Sequence, residues 1–195
     1  MGKLVSSMLV TLDSFVAGPN GELDMFKVDQ EFFDASESLT DQSDTVLYGR
    51  STYELMQSYW PTAADKPDAT SHDINHAAWY KRVDKIVLST TLKDPPPNTR
   101  IISNNISAEI TQLKQETPKN IQIFGSPGAV RSLIQDNLID EYWIFVAPVI
   151  LGQGIPLFGL GSNRINLKLL SSKVFRSGII ALHYEKVSLL LHLMK

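Results

Sequence analysis

The chain has 195 residues and a net charge of −3 without a basic stripe, which argues against nucleic acid as a partner. The absence of cysteine excludes disulfides and thiolate metal ligands, and no stretch approaches the ~20 consecutive apolar residues of a membrane span. Because chains of about 150 residues already bury roughly 70% of their unfolded surface, this length supports one domain. We expect the protein in the cytoplasm.

The first two thirds of the chain alternate predicted strands and helices, which is typical of a layered α/β fold. The earlier elements are a strand ending near Val10, a turn at 18–21, a helix at 29–39, a strand ending at Gly49 and a helix at 51–59. The later elements are a proline-containing stretch at 61–68, a helix at 72–82, a strand at 85–89, a surface loop at 94–98, a short strand at 99–103, a helix at 106–116, a strand at 120–124 and a helix at 129–137.

The last third differs, because residues 140–150, 167–175 and 179–187 form long runs that look like strands, joined by glycine-containing turns. Such runs predict strands that pair antiparallel. The predicted fold is therefore α/β, with a central mixed, mainly parallel sheet and antiparallel C-terminal strands. We expect one domain over residues 1–187, followed by an apolar tail at 188–195.

The strand that ends at Gly49 runs directly into a helix carrying Arg50 and Thr52. The first turn of a helix has backbone N–H groups without internal partners and a partial positive charge, so an anion gains stability there. A glycine at the junction allows close approach, and an arginine side chain adds a planar fork suited to phosphate. This junction predicts a phosphate site, although a tight turn beside a solvated arginine would look the same in isolation.

Two further strand ends offer small or hydroxyl-bearing residues. One strand ends at Ser89 and Thr90, and another runs into the segment from Gly125 to Ala129, which opens a helix. Pro127 suits the first helical position, where its missing N–H costs nothing. In open α/β sheets ligands bind at the carboxyl ends of strands, so the three strand ends together favour a nucleotide site.

At these segments the chain resembles the dihydrofolate reductase superfamily, and within it the branch similar to the reductase domain of bacterial riboflavin biosynthesis. The resemblance runs from about Lys3 to Lys186. It rests on the order and spacing of five segments, which are 9–18, 48–52, 88–90, 125–129 and 146–154. It implies a three-layer dihydrofolate reductase-like fold, an NADPH-dependent reductase and a homodimer. The family lacks the dinucleotide G-x-G-x-x-G fingerprint, so the absence of that fingerprint here does not count against NADPH.

The resemblance also assigns cofactor contacts. It implies that Gly49, Arg50 and Thr52 contact phosphates, with Arg50 and Thr90 near the adenosine 2′-phosphate and Ser89 at the same strand end. That contact favours NADPH over NADH.

Two further loops receive roles by the same resemblance. The positions that resemble the loop lying against the pyrophosphate and nicotinamide are Gly125, Ser126, Gly128 and Ala129. Ala17 and Gly18 resemble the loop that closes over the nicotinamide ring. Ser126 and Pro127 interrupt a loop that is usually richer in glycine in this family.

Four acids follow the first strand and are candidates to anchor a pterin-like or pyrimidine-like ring, since a carboxylate accepts two hydrogen bonds from an amidine edge. They are Asp13, Glu22, Asp24 and Asp29. We rank Asp13 first as a catalytic residue because it directly follows the strand, and then Asp29, which could equally cap its helix. For each acid, a solvated loop or cap role is the plain alternative.

The predicted function is hydride transfer from NADPH to a small heterocyclic or carbonyl substrate. Dihydrofolate reduction proper, reduction of a ribosylaminopyrimidine and a non-catalytic nucleotide-binding role stay open as alternatives. His72 and His76 have the spacing of a metal pair, but no third ligand of matching context is evident, so we expect a solvated helix face and no metal.

Overall fold

The computed structural model describes residues 1–159 and 164–187, and the predicted apolar tail lies outside these described residues. The strands of the described chain are β1 (Leu4–Thr11), β2 (Phe15–Ala17), β3 (Ser43–Gly49), β4 (Asp84–Leu88), β5 (Thr99–Ile102), β6 (Asn120–Phe124), β7 (Glu141–Ala147), β8 (Ile155–Pro156), β9 (Leu167–Val174) and β10 (Ile180–Lys186). The helices are α1 (Gln30–Asp41), α2 (Arg50–Ala63), α3 (Ser71–Arg82), α4 (Ile106–Glu116) and α5 (Pro127–Gln135).

Eight of these strands form one sheet in the order β5-β4-β3-β6-β1-β7-β10-β9. The six strands from β5 to β7 are parallel to their neighbours, whereas β10 pairs antiparallel with both β7 and β9. The predicted mixed, mainly parallel sheet is therefore confirmed. The antiparallel region is smaller than predicted, because β7 pairs parallel with β1 and only its other edge is antiparallel.

Helices cover both faces of this sheet, and the side-chain alternation of the strands decides which residues enter which layer. On β3, Leu47 packs in the cluster with α4 and α5, while Val46 and Tyr48 pack in the cluster with α2 and α3. A third cluster joins α1 to β7 and β10 through Leu39 and Phe145. The result is the three-layer α/β fold that the resemblance implies.

Apart from shifts of up to three residues at the ends of elements, the structure differs from the predicted elements at α2 and at β2 and β8. Helix α2 does not stop at Tyr59 but continues through Pro61 to Ala63. A proline inside a helix removes one backbone hydrogen bond. Trp60, directly before Pro61, packs its ring on His76 of α3. Strands β2 and β8 pair as a separate two-stranded sheet and are too short for their sequence to show an alternating pattern.

The expectation of a solvated helix face at the histidine pair is wrong. His76 is only 9% exposed, and its ring lies 4.0 Å from Trp60 and 5.0 Å from Trp79, centroid to centroid. Burial lowers the pKa of His76 to about 3, so the side chain is neutral. Within 1–159 and 164–187, no group of three or more His, Cys, Asp or Glu residues could hold a metal ion.

Strand β9 forms one edge of the sheet and is exposed along its whole length. Four of its apolar side chains are 40% to 69% exposed, and they are Leu167, Leu169, Leu170 and Val174. No helix in the described part of the chain has the length and apolar character needed to cross a membrane.

Candidate functional site

A cavity of about 720 Å³ opens where β3 and β6 end, beside residues 7–9 of β1, which continues to Thr11. Parallel strands place their carboxyl ends together, and this is the usual ligand position in open α/β sheets. The cavity has two parts. Its strand-end half consists of residues 49–52 and 125–129, and its apolar half lies between α1 and α2.

Two turns meet in the strand-end half and hold each other through side-chain hydrogen bonds. The Gly49 backbone N–H donates to the Ser126 Oγ (3.0 Å), and the Ser126 backbone N–H donates to the Thr52 Oγ1 (3.1 Å). These bonds join the β3–α2 junction to the β6–α5 junction. The serine that interrupts the glycine-rich pattern therefore supplies a cross-link between the two turns.

Gly125 and Ser126 both adopt the left-handed backbone region, with φ values of 60° and 59°. Glycine enters that region without steric cost, whereas serine does so at a cost. A Cβ on Gly125 would lie only 3.3 Å from the Thr52 methyl carbon, so side-chain space is also tight there. The strained turn points the start of α5 toward the start of α2.

Both helices begin without a side-chain cap, at Gly49 for α2 and at Ser126 for α5. A Cβ built on Gly49 would lie 3.7 Å from the Ala129 Cβ, so the two helix N-termini are neighbours. A Cβ built on Gly128 would meet no atom within 4 Å, and Gly128 lines the cavity. Two positive helix ends therefore face a space that an anion could enter without displacing side chains.

A second cavity of about 380 Å³ continues from the first beyond Arg50. Ser89, Thr90 and Thr91 line this cavity after β4. The Arg50 guanidinium donates from Nη1 to the Thr91 Oγ1 (2.6 Å) and pairs through Nε with the Glu54 carboxylate (2.7 Å). These contacts hold the arginine fork between the two cavities.

The apolar half contrasts with these turns. Phe26 and Val28 precede α1, Phe32 lies on α1, Leu55 lies on α2 and Phe145 lies on β7. The polar side chains of this half are those of Ser7 on β1 and Ser36 on α1. Among the described residues, no Asp or Glu lines the cavity, and Arg50 supplies its positively charged side chain.

Most of the predicted cofactor residues lie together at these cavities. The first cavity is lined by Ala17, Gly49, Arg50, Thr52, Gly125, Ser126, Gly128 and Ala129, and the second also by Ser89 and Thr90. Gly18 lines neither cavity; its N–H donates to the Glu22 carbonyl (2.9 Å) in a turn where a Cβ would collide with the Glu22 carboxylate. Gly21 and Leu23 from the same segment line the first cavity instead.

Asp13 lies outside both cavities, because its carboxylate is bound elsewhere. The carboxylate accepts hydrogen bonds from the Thr11 hydroxyl (2.6 Å) and from the backbone N–H of Gly152 (2.7 Å) and Leu151 (3.1 Å). The Thr11 hydroxyl first, and then these N–H groups, lower the pKa of Asp13 to about 2. The geometry shows a carboxylate that fastens the loop after β7, and a catalytic role for Asp13 stays a prediction.

Asp29 also lies outside both cavities. It caps α1 by accepting from the Phe32 N–H (3.0 Å), and its second oxygen accepts from the Ser177 N–H (2.7 Å). Burial raises the pKa of Asp29, but these N–H groups hold it below its usual value. The cap alternative is therefore what the structure shows, and a catalytic role stays a prediction.

Most residues of the apolar half were not assigned by sequence reasoning. Phe26, Phe32, Leu55, Met56 and Phe145 come from four different segments and resemble ordinary core residues in the sequence.

Comparison with known structures places the fold among dihydrofolate reductase-like proteins. The fold matches a protein of Shewanella sp. PV-4 with a TM-score of 0.72, at 22% identity over 96% of this chain and 100% of the other. It matches a pyrimidine reductase-like protein of Corynebacterium diphtheriae (TM-score 0.68, 16% identity, 96% and 92% of the chains). It also matches dihydrofolate reductase of Enterococcus faecalis (TM-score 0.65, 13% identity, 96% and 98%).

Sequence comparison is more specific. Residues 2–181 match the model of the RibD C-terminal domain, and the chain therefore belongs to the RibD C-terminal domain family. Two proteins of Bacillus subtilis (strain 168) are similar over nearly the whole chain, namely "Uncharacterized protein YyaP" at 33% identity over 94% of both chains, and "Uncharacterized protein YwjB" at 30% identity over 94% of this chain and 98% of the other. The family resemblance seen in the sequence is confirmed.

Proposed function

We propose that this protein is an NADPH-dependent reductase that transfers a hydride to a small heterocyclic or carbonyl substrate. The family membership supports a reductase-type function. The observation that carries the proposal is the meeting of two uncapped helix N-termini beside the open position at Gly128, next to Arg50.

The donor set fits a dinucleotide diphosphate with an additional phosphate. The first turns of α2 and α5 supply backbone N–H groups, and the absence of a side chain on Gly128 gives room for the pyrophosphate. Arg50 and Thr90 border the second cavity and would hold the adenosine 2′-phosphate. A structural neighbour, the Enterococcus faecalis dihydrofolate reductase, is complexed with NADP(H).

The nicotinamide supplies the hydride, and the chain supplies position and surroundings. Ala17 and the apolar half would face the nicotinamide ring and exclude water from it. Because Asp13 and Asp29 are held in their charged forms outside the cavity, we propose that water delivers the proton.

A side-by-side calorimetric titration with NADPH and NADH tests this function. Tight binding with a clear preference for NADPH is expected, because only NADPH carries the 2′-phosphate that Arg50 would bind. Absence of binding for either nucleotide would contradict the proposal and favour the alternative of a fold kept for another ligand. Dihydrofolate and small carbonyl compounds added to the NADPH complex then test turnover.

We also propose a homodimer. Strand β9 is an edge strand with four exposed apolar side chains, and a second copy of the chain could cover it. An apolar edge strand that is left unpaired promotes aggregation. Light scattering during size-exclusion chromatography is expected to give twice the mass of the chain, and a monomeric mass would contradict this proposal. A cytoplasmic location stays a prediction from sequence.

A further inference from the structure

The apolar half of the cavity differs from what a charged or strongly hydrogen-bonding substrate requires. Its walls include the side chains of Phe26, Phe32, Leu55 and Phe145, and its polar side chains are those of Ser7 and Ser36. Burial of a charge in such surroundings is costly unless a partner charge is present. The charges around the cavity therefore limit the class of substrate.

Three acids that are close in sequence to cavity residues are bound to other groups. Asp29 accepts from the Phe32 and Ser177 N–H groups, and Glu31 accepts from the Arg176 N–H (2.8 Å). Glu54 pairs with Arg50. Since no Asp or Glu among the described residues lines the cavity, an aminopterin or aminopyrimidine edge would have no carboxylate to accept its paired N–H groups.

Positively charged side chains are also scarce in the cavity lining. Among the described residues, Arg50 is the only lysine or arginine that lines the cavity. It lies at the junction with the second cavity. A substrate phosphate in the apolar half would have to compete with the cofactor phosphate for this one guanidinium. A phosphorylated sugar is therefore a poor ligand for the apolar half.

We propose that the apolar half selects an uncharged, flat aromatic compound that carries one reducible carbonyl, and this inference rests on the proposed function. Aromatic walls favour a planar apolar ring, and the Ser7 or Ser36 hydroxyl can donate one hydrogen bond to the carbonyl oxygen. In the overall reaction one hydride from NADPH and one proton from water convert the carbonyl to an alcohol and leave NADP⁺. Ligand cavities of several hundred Å³ commonly take molecules of this size.

The test compares two ligands that share a ring and an aldehyde but differ by one negative charge, namely 2-naphthaldehyde and 6-formyl-2-naphthoate. Calorimetry measures the binding of each to the NADPH-loaded protein and to the protein without nucleotide. Binding of 2-naphthaldehyde is expected to be about tenfold tighter, because the carboxylate must lose its water without gaining a cation. Dihydrofolate serves as the aminopterin reference and is expected to bind more weakly than 2-naphthaldehyde.

A pair of variants on α1 tests whether the apolar half causes this preference. Ser36→Asp places a carboxylate in the cavity lining, and Ser38→Asp makes the same change at an exposed position of the same helix. We expect Ser36→Asp to weaken binding of 2-naphthaldehyde about tenfold, while Ser38→Asp leaves it unchanged. Circular dichroism and NADPH affinity check that both variants stay folded.

The outcomes separate this inference from the proposed function. Equal or tighter binding of 6-formyl-2-naphthoate or dihydrofolate, or no binding of any of these compounds, overturns the substrate class while NADPH binding still supports a reductase. Binding of 2-naphthaldehyde without any NADPH binding supports the ligand class and overturns the reductase. An unchanged 2-naphthaldehyde affinity in Ser36→Asp overturns the placement in the apolar half.

Discussion

The two halves of the cavity recognise ligands by different physical means. In the strand-end half, backbone N–H groups and Arg50 offer positive charge around a space that Gly128 leaves open. In the apolar half, rings and aliphatic side chains surround two hydroxyls. The contrast indicates that one half suits a fixed, charged cofactor and the other selects by shape and lack of charge.

The largest expected effect is on the strand-end half. Gly128→Val fills the open space at the start of α5, and NADPH affinity is expected to fall about 100-fold, because the pyrophosphate can no longer approach the backbone. Since a Cβ at this position meets no protein atom within 4 Å, thermal unfolding should change little. Ala108→Val is the matched control, because it adds the same side chain at an exposed position in the first turn of α4, outside both cavities. Unchanged NADPH affinity in Gly128→Val would break the distinction between the halves.

Arg50→Ala is expected to weaken NADPH about 30-fold, because a charge-assisted contact to the 2′-phosphate contributes about 2 kcal/mol. NADH lacks that phosphate, so its affinity should change less than about threefold. Arg82→Ala removes an exposed arginine from the end of α3 and serves as the control. Equal weakening of NADPH and NADH would contradict the assignment of Arg50.

A third prediction concerns the packing of α3 against α2, the helix that carries Leu55 of the apolar half. His76 has a pKa of about 3 in the folded protein and about 6.5 when unfolded, so the folded state binds fewer protons. Its contribution is complete above pH 6.5 and falls by at most about 1.4 kcal/mol per pH unit below it.

Replacing the titrating ring isolates this effect. The difference in unfolding free energy between the wild type and His76→Phe is measured by urea unfolding at pH 7, 6 and 5. The variant is expected to lose stability less steeply than the wild type as the pH falls, because the ring among Trp60 and Trp79 no longer titrates. Parallel pH profiles would show that folding does not shift the pKa of His76.

The smallest expected effect is that of Asp13→Asn. Since Asp13 fastens the loop at Leu151 and Gly152 and does not line the cavity, the rate of NADPH-dependent 2-naphthaldehyde reduction should fall less than about threefold. Loss of a general acid or base typically lowers the rate by about 10²-fold or more. A loss of that size in a folded variant would return Asp13 to the catalytic site.

The same contrast explains how far sequence alone could reach. Gly49, Arg50 and Thr52 are consecutive or nearly so, and the junction of a strand, a glycine and a helix has one plausible geometry, so the strand-end half was predictable. Residues of the apolar half are separated by up to 148 positions, between Ser7 and Ile155, and most show in the sequence only that they are apolar. Their convergence depends on strand order, which local patterns do not encode.

The surroundings of the polar residues could not be predicted from the sequence, for a related reason. Asp13 and Asp29 follow the first strand, but each finds backbone N–H partners from distant segments, at Gly152 and at Ser177. His76 was expected on a solvated helix face because no third metal ligand was evident, yet packing of α3 against α2 buries it beside Trp60. Such partners depend on tertiary contacts that the sequence does not display.

A crystal structure of the protein with NADPH tests the account most directly. The account predicts the pyrophosphate at the N-termini of α2 and α5 beside Gly128, the 2′-phosphate at Arg50 and the nicotinamide ring facing the apolar half. Phosphates bound away from both helix N-termini, or an adenosine placed in the apolar half, would contradict it.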